Sequence, residues 1–113
     1  MSVSFEGIGE LAATFKTSGT VETGDVVKIA GNGTAAACAG GDVFCGVVIG
    51  VSEDGYATVQ LRGYVTAPYT GTKPDLGYAK LAAGSDGVAV NNNGREYLVI
   101  DVDETAGTVG FYM

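Results

Sequence analysis

The sequence predicts a small all-β fold, mainly antiparallel, built from hairpins that form a barrel or a sandwich. Three observations predict it. Glycine fills 19 of the 113 positions, more than twice its typical share of about 7%, and in β proteins glycine supplies turns and bulges. Asp-Gly, Asn-Gly and Ala-Gly pairs separate short segments rich in Val, Thr and Tyr. No apolar period of 3.6 residues is present, and alternation of period two indicates strands.

We expect nine strands in a single β domain that spans residues 1–113, a length that suits one core. The first strand follows the alternation of Leu11, Ala13 and Phe15. The other eight strands are predicted at residues 25–30, 34–38, 43–52, 56–65, 79–82, 88–91, 95–103 and 108–113. Segment 66–77 contains both prolines, and we expect it to be a loop that divides the strands into two sets.

The apolar pattern predicts the register of the hairpin at residues 43–65. A two-residue turn would place Ile49 opposite Gln60, an apolar side chain against a polar one. A three-residue loop over 53–55, with Gly55 in the left-handed conformation, avoids this mismatch. It predicts the pairs Val51–Ala57, Ile49–Val59, Val47–Leu61 and Cys45–Gly63.

The same comparison predicts the register of the C-terminal hairpin. A four-residue loop over 104–107 places Asp103 opposite Thr108, and all further inward pairs are then apolar. These pairs are Val102–Val109, Ile100–Phe111 and Leu98–Met113. A three-residue loop over 92–94 would in turn place Val88 opposite Leu98.

The residue types present argue against catalysis. The chain has no histidine, which is the usual general acid or base near neutral pH and the commonest metal ligand. We therefore expect a non-enzyme without cofactor or metal. The acidic run at Asp101, Asp103 and Glu104 is interpreted as a solvated hairpin end, and Cys38 and Cys45 are expected to stay unpaired.

Charge narrows the possible partners. Six basic and thirteen acidic residues give a formal charge of −7, and a surface of this sign repels nucleic acid and anionic membranes. No apolar run approaches the roughly 18 residues that a membrane span needs. The N-terminus lacks the basic and apolar regions of a secretory signal, so we expect synthesis in the cytoplasm.

Tyrosines give the strongest interaction signal in the chain. In the predicted registers several aromatic residues fall on the strand face opposite the aliphatic core, with Val48 beside them. One interpretation is that they cover the second side of a two-sided strand pair. The other is a subunit interface, where tyrosine is enriched and charge is depleted. The candidate interface residues are Phe44, Tyr56, Tyr64, Tyr97 and Tyr112.

The chain resembles the small head-decoration (capsid cement) proteins of tailed phages and prophages. Three segments carry the resemblance: TGDVVKIAGNG, VFCGVVIGVSEDGYATVQLRGYV and REYLVIDVDETAGTVGFYM. Together they extend from about residue 20 to residue 113. The resemblance implies a homotrimer that binds a major capsid protein within the virion. It also implies an N-terminal arm over residues 1–15, although the alternation from Leu11 to Phe15 indicates that part of it joins the fold.

Two functional hypotheses follow from these observations. The first is a non-catalytic phage structural protein, made in the bacterial cytoplasm, that decorates and stabilises a capsid lattice. The second is a monomeric ligand- or carbohydrate-binding β module that uses its tyrosines as a stacking platform. The mass of the protein in solution separates the two.

Overall fold

A computed structural model describes residues 10–113, and within this range it is all-β, as the sequence predicted. Ten strands account for the regular structure, and no residue in the range is helical. The strands are β1 Leu11–Thr17, β2 Val26–Gly31, β3 Thr34–Ala37, β4 Gly46–Val51, β5 Tyr56–Arg62, β6 Tyr64–Pro68, β7 Gly77–Ala83, β8 Val88–Val90, β9 Arg95–Asp103 and β10 Thr108–Tyr112.

The strands form two sheets. The first is a closed five-stranded barrel in the order β1-β3-β2-β4-β5, and all its pairs are antiparallel except β1–β3. The second is an open five-stranded antiparallel sheet in the order β6-β10-β9-β7-β8. A parallel bridge between Tyr69 and Val88 connects the segment after β6 to β8, so the open sheet curls toward closure at one end.

The last part of the predicted N-terminal arm, from Leu11 onward, belongs to the barrel. Residues 1–9, which make up most of the predicted arm, lie outside the described range. From Leu11 onward the chain forms β1, which pairs with β5 from Leu11 to Lys16 and with β3 at its end. This agrees with the alternation that placed part of the segment in the fold.

A corner at Gly63 separates the two sheets. The sequence predicted one strand over 56–65, but β5 ends at Arg62 and β6 begins at Tyr64. Gly63 has a φ of 113°, which L side chains rarely adopt. The buried side chain of Gln60 donates from its amide nitrogen to the carbonyls of Arg62 and Tyr64 at 3.1 and 3.2 Å, so the corner keeps its backbone acceptors paired.

One wall of the barrel is buried on both sides. Within it, Val26 of β2 lies opposite Val47 of β4. Val27 and Val48 belong to the cluster inside the barrel, whereas Val26 and Val47 belong to the core of the second sheet. Successive side chains of a strand point to opposite faces, so this wall contributes to two cores and the two sheets are joined through it.

Three aromatic rings form the centre of the larger core. Phe44 and Tyr97 are stacked with ring centroids 5.2 Å apart, and Phe111 lies 5.3 Å from Tyr97 and 6.1 Å from Phe44. The Tyr97 hydroxyl donates to the carbonyl of Phe44 at 3.3 Å, which satisfies a polar group that is otherwise buried. This contact connects the segment before β4 to the middle of the second sheet.

The hairpin of β4 and β5 has the predicted turn but not the predicted register. The backbone bond from Ser52 to Tyr56 and the pair Val51–Ala57 match the three-residue loop. Beyond that point the ladder shifts between Val48 and Gly50. The predicted pair of Ile49 with Val59 is therefore wrong: Ile49 is the extra residue of a β-bulge, and Val48 takes its place.

The C-terminal hairpin departs from the prediction in the same way. Asp103 pairs with Thr108 and Val102 with Val109, as predicted. A bulge at Ile100 then shifts the ladder. The predicted pairs Ile100–Phe111 and Leu98–Met113 are wrong, and the observed pairs are Val99–Phe111 and Leu98–Tyr112.

The predicted pairing of β8 with β9 is also wrong. β7 lies between them, and Leu81 pairs with Val90 on one side and with Arg95 on the other. Leu81 is fully buried, so the insertion of β7 places a large apolar side chain in the core of the second sheet. Val88 accordingly faces Ala83 rather than Leu98.

The bulge in β4 makes a testable prediction. Val48→Ala removes buried methyl groups and should lower the free energy of unfolding by about 2 kcal/mol. Ile49→Ala should change it by only about 0.5 kcal/mol, because Ile49 is 43% exposed. Urea denaturation followed by circular dichroism measures both. A larger loss for Ile49→Ala than for Val48→Ala would restore the unbulged register.

Candidate functional site

A row of four large side chains crosses the outer face of the second sheet. Tyr64 of β6 pairs with Tyr112 of β10, Tyr112 with Leu98 of β9, and Leu98 with Tyr78 of β7. Directly opposed residues of an antiparallel ladder project to the same side. We call these four residues the tyrosine row.

The tyrosine row is apolar and accessible to solvent, whereas the opposite face of the same strands is buried in the core. Tyr78 is 71% exposed and Leu98 is 37% exposed. Tyr64 and Tyr112 are half-buried. Leu76, in the loop before β7, adds a side chain that is 68% exposed. A surface of this composition is typical of a contact site rather than of scattered exposed residues.

Charged and polar residues border the row along its strands. On one side Lys80 pairs with Glu96, and on the other Asp101 and Thr66 both face Gly110. The face therefore has an apolar centre with a polar border, the arrangement found at many protein interfaces.

Tyr64 is held in place by the sheet beneath it. Its ring lies over Gly110, where a Cβ atom would overlap the Tyr64 hydroxyl and the Asp101 carboxylate. The hydroxyl donates to Asp101 Oδ1 at 3.0 Å. Burial, with a smaller contribution from Asp101, raises the pKa of Tyr64 above its ordinary value, so the phenol remains a neutral donor at neutral pH. An aromatic ring over a strand glycine covers exposed backbone.

Two grooves of about 450 Å³ each adjoin the row at the end of β9. The first is lined by Lys73, Pro74, Asp75, Leu76, Ile100, Asp101 and Val102. The second is lined by Tyr64, Thr66, Asp101, Val102, Asp103, Glu104 and Thr108. The two grooves add concave surface to the apolar area of the outer face.

The acidic run beside these grooves is engaged in local structure. Asp103 accepts hydrogen bonds from the backbone of Thr105 and Ala106 at 3.0 and 3.1 Å, which caps the β9–β10 turn. Glu104 forms an ion pair with Lys73 at 2.9 Å. Within residues 10–113 no group of three or more acidic or Cys residues is placed to hold a metal ion.

The five predicted interface residues do not share one surface of the structure. Tyr64 and Tyr112 lie in the tyrosine row, and Tyr56 is exposed on the barrel. The placement of Phe44 and Tyr97 on an outer face is wrong, because both are buried in the aromatic core.

Bulges account for the corrected placement of Tyr97 and of Val48. Because Ile100 is an extra residue in β9, Tyr97 and Val99 point inward and Leu98 points outward. The bulge at Ile49 acts likewise on β4: Val48, predicted to lie beside the tyrosines, is inside the barrel. Counted from the turn, a single extra residue reverses the face that each side chain beyond it on the same strand occupies.

Sequence analysis missed Tyr78, Leu98 and Leu76. Tyr78 falls between the predicted 66–77 loop and the predicted strand 79–82. In the structure it belongs to β7, which begins at Gly77. A signal was present, because Tyr78 and Lys80 alternate with Ala79 and Leu81 in the period of a strand. Leu98 had no such signal, since only the bulge reverses its direction.

Both cysteines are free thiols, and their surroundings raise the pKa of each. Cys38 packs against the core of the second sheet and Cys45 against the barrel interior. Burial, and next the negative charge of Asp42, raise the pKa of Cys38 to about 11. Burial also raises the pKa of Cys45. Asp42 itself forms an ion pair with Lys28 at 2.7 Å.

Comparisons with protein-family models, with curated proteins and with solved structures gave no match to this chain. Among the described residues, no helix is long and apolar enough to span a membrane.

The contact between Tyr64 and Gly110 makes a prediction. Gly110→Ala should displace the Tyr64 ring, break its bond to Asp101 and lower the free energy of unfolding by about 1–3 kcal/mol. Gly50→Ala is the matched control, because no atom lies within 4 Å of a Cβ added there. Urea denaturation measures both variants, and equal stabilities would contradict the contact.

A second prediction concerns the thiols. With a pKa of about 11, only about 0.1% of Cys38 is thiolate at pH 8, against roughly a quarter of an unhindered cysteine. Iodoacetamide should therefore alkylate Cys38 on the order of 100-fold more slowly in the native protein than in urea. Mass spectrometry of timed samples gives both rates, and similar rates would refute the environment described for this thiol.

Proposed function

We propose that this protein is a non-catalytic phage structural protein that decorates a capsid lattice and stabilises it. The tyrosine row is the observation that carries the proposal. It offers an apolar surface across four strands, and a contact surface of this kind needs no active site. The resemblance of residues 20–113 to head-decoration proteins supplies the biological setting, with the virion as the location.

The first partner of the row is a second copy of the chain, in a homotrimer. Three strand spacings of about 4.8 Å give the row a width of about 14 Å, enough for the centre of a modest interface. Tyrosine buries a large area while losing little side-chain entropy, which is why it is enriched where proteins meet. The exposed Tyr78 and Leu98 would be covered in such an assembly.

The second partner is the major capsid protein. A decoration protein needs no active site, because many copies of a weak interface on one lattice combine into strong attachment. The charge of −7 favours binding to a protein shell rather than to the nucleic acid within it.

A monomeric ligand- or carbohydrate-binding module is the alternative. The second groove favours it, because its lining places the carboxylates of Asp101, Asp103 and Glu104 beside the ring of Tyr64. In that case the tyrosines would bind a flat ligand face instead of another chain. A monomeric mass in solution would favour this alternative over the trimer.

Tyr78→Ala should weaken self-association by about 1–3 kcal/mol, because an aromatic side chain near an interface centre contributes energy of this order. Its exposure means that the fold should be unaffected. Tyr56→Ala, on the barrel, is the matched control and should leave association unchanged. Light scattering after size exclusion gives the mass of each protein over a concentration series. A wild-type monomer at high micromolar concentration would overturn the trimer.

The capsid partner is tested by co-sedimentation. Capsids assembled from the major capsid protein of the same genome should carry the wild-type protein into the pellet and raise their own thermal stability. Failure of the wild type to sediment with them would remove the decoration role, even if the trimer forms.

A further inference from the structure

A cavity of about 170 Å³ lies at the junction of the barrel and the second sheet. It is lined by Cys45, Leu61, Arg62, Arg95, Tyr97 and Met113. The chain contains two arginines, Arg62 and Arg95, and both are in this lining. We call it the waist cavity, and it is separate from the tyrosine row.

The fold brings the arginines together from distant parts of the chain. Arg62 is the last residue of β5, just before the Gly63 corner, and Arg95 is the first residue of β9. Arg95 lies on the same strand face as Tyr97, two residues on, and its guanidinium carbon is 5.7 Å from the centroid of that ring. Because Tyr97 is fixed in the aromatic core, this contact limits the freedom of Arg95.

Neither guanidinium forms an ion pair with a carboxylate among residues 10–113. The two ion pairs in this range involve lysines, Lys28 with Asp42 and Lys73 with Glu104. Among the described residues the two arginines share one cavity without forming an ion pair, and they make a local positive site in an acidic chain.

We propose that the waist cavity binds a small oxyanion, preferably a carboxylate, between Arg62 and Arg95. The planar guanidinium fork matches a carboxylate in a bidentate geometry that a lysine does not provide. At about 30 Å³ per water molecule, the volume corresponds to five or six waters, which accommodates an anion of the size of acetate, phosphate or succinate.

The other walls of the waist cavity are partly apolar. Leu61 and Met113 supply apolar surface, and both are partly buried against the two cores. Both arginines are exposed residues, so solvent screens their attraction for an anion and the bidentate geometry supplies the selectivity. The Tyr97 hydroxyl is already engaged with Phe44, so the arginines are the groups that bind the anion.

The carboxylate has two possible sources: a free anion, or an acidic side chain of a second copy of the chain. The probes are sodium acetate, sodium succinate and sodium phosphate, each compared with sodium chloride at matched ionic strength. The full chain, labelled with ¹⁵N, is titrated and observed through its backbone amides and the Nε–H groups of both arginines.

Succinate should produce saturable shifts centred on Leu61, Arg62 and Arg95, and chloride should not. Arg62→Gln and Arg95→Gln should each weaken the affinity at least tenfold, and Arg95→Lys should weaken it less because the charge remains. Lys80→Gln is the matched control: it removes the same charge from the outer face and should leave the affinity unchanged. Shifts that do not saturate, or equal affinities for Arg95→Gln and Lys80→Gln, would overturn the proposal.

Light scattering shows whether the carboxylate comes from a free anion or from a second copy of the chain. If a second copy supplies the carboxylate, Arg62→Gln and Arg95→Gln reduce the mass in solution, and so does free succinate. If the ligand is a free anion, the mass is the same with and without succinate. Either result is compatible with the site, and neither depends on the tyrosine row, so the two proposals fail separately.

Discussion

The wall formed by β2 and β4 is the element on which the rest of the structure depends. Val27 and Val48 complete the interior of the barrel, while Val26 and Val47 complete the core of the second sheet. Each five-stranded sheet has one face that must be covered. Because the β2–β4 wall covers both of these faces, about a hundred residues form two packed sheets, and none of the described residues is helical.

Two bulges decide which residues this arrangement buries. Each inserts one isoleucine, Ile49 in β4 and Ile100 in β9. The first directs Val47 toward the second sheet and Val48 into the barrel. The second directs Tyr97 into the aromatic core and leaves Leu98 outside. Core and surface thus depend on the same local irregularities.

The proposed interaction surfaces follow from this geometry. The tyrosine row exists because the bulge at Ile100 turns Leu98 outward, where the ladder aligns it with one tyrosine from each of three other strands. The waist cavity exists because the Gly63 corner and the start of β9 meet where the sheets join. One surface is apolar and the other carries positive charge in an acidic chain, so they suit different partners.

The sequence by itself determined the fold class, most strand positions and the turns of the β4–β5 and β9–β10 hairpins. Period-two alternation and turn residues are local signals, and they need no knowledge of the rest of the chain. They also placed Tyr64 and Tyr112 on an outer strand face. Only the tertiary structure decided the register beyond each bulge, the position of β7 between β8 and β9, and the burial of Phe44 and Tyr97. The reason is physical: Val47-Val48-Ile49 and Leu98-Val99-Ile100 are apolar at every position, so either strand phase buries an aliphatic side chain. Packing between the barrel wall and the second sheet selects between the two phases.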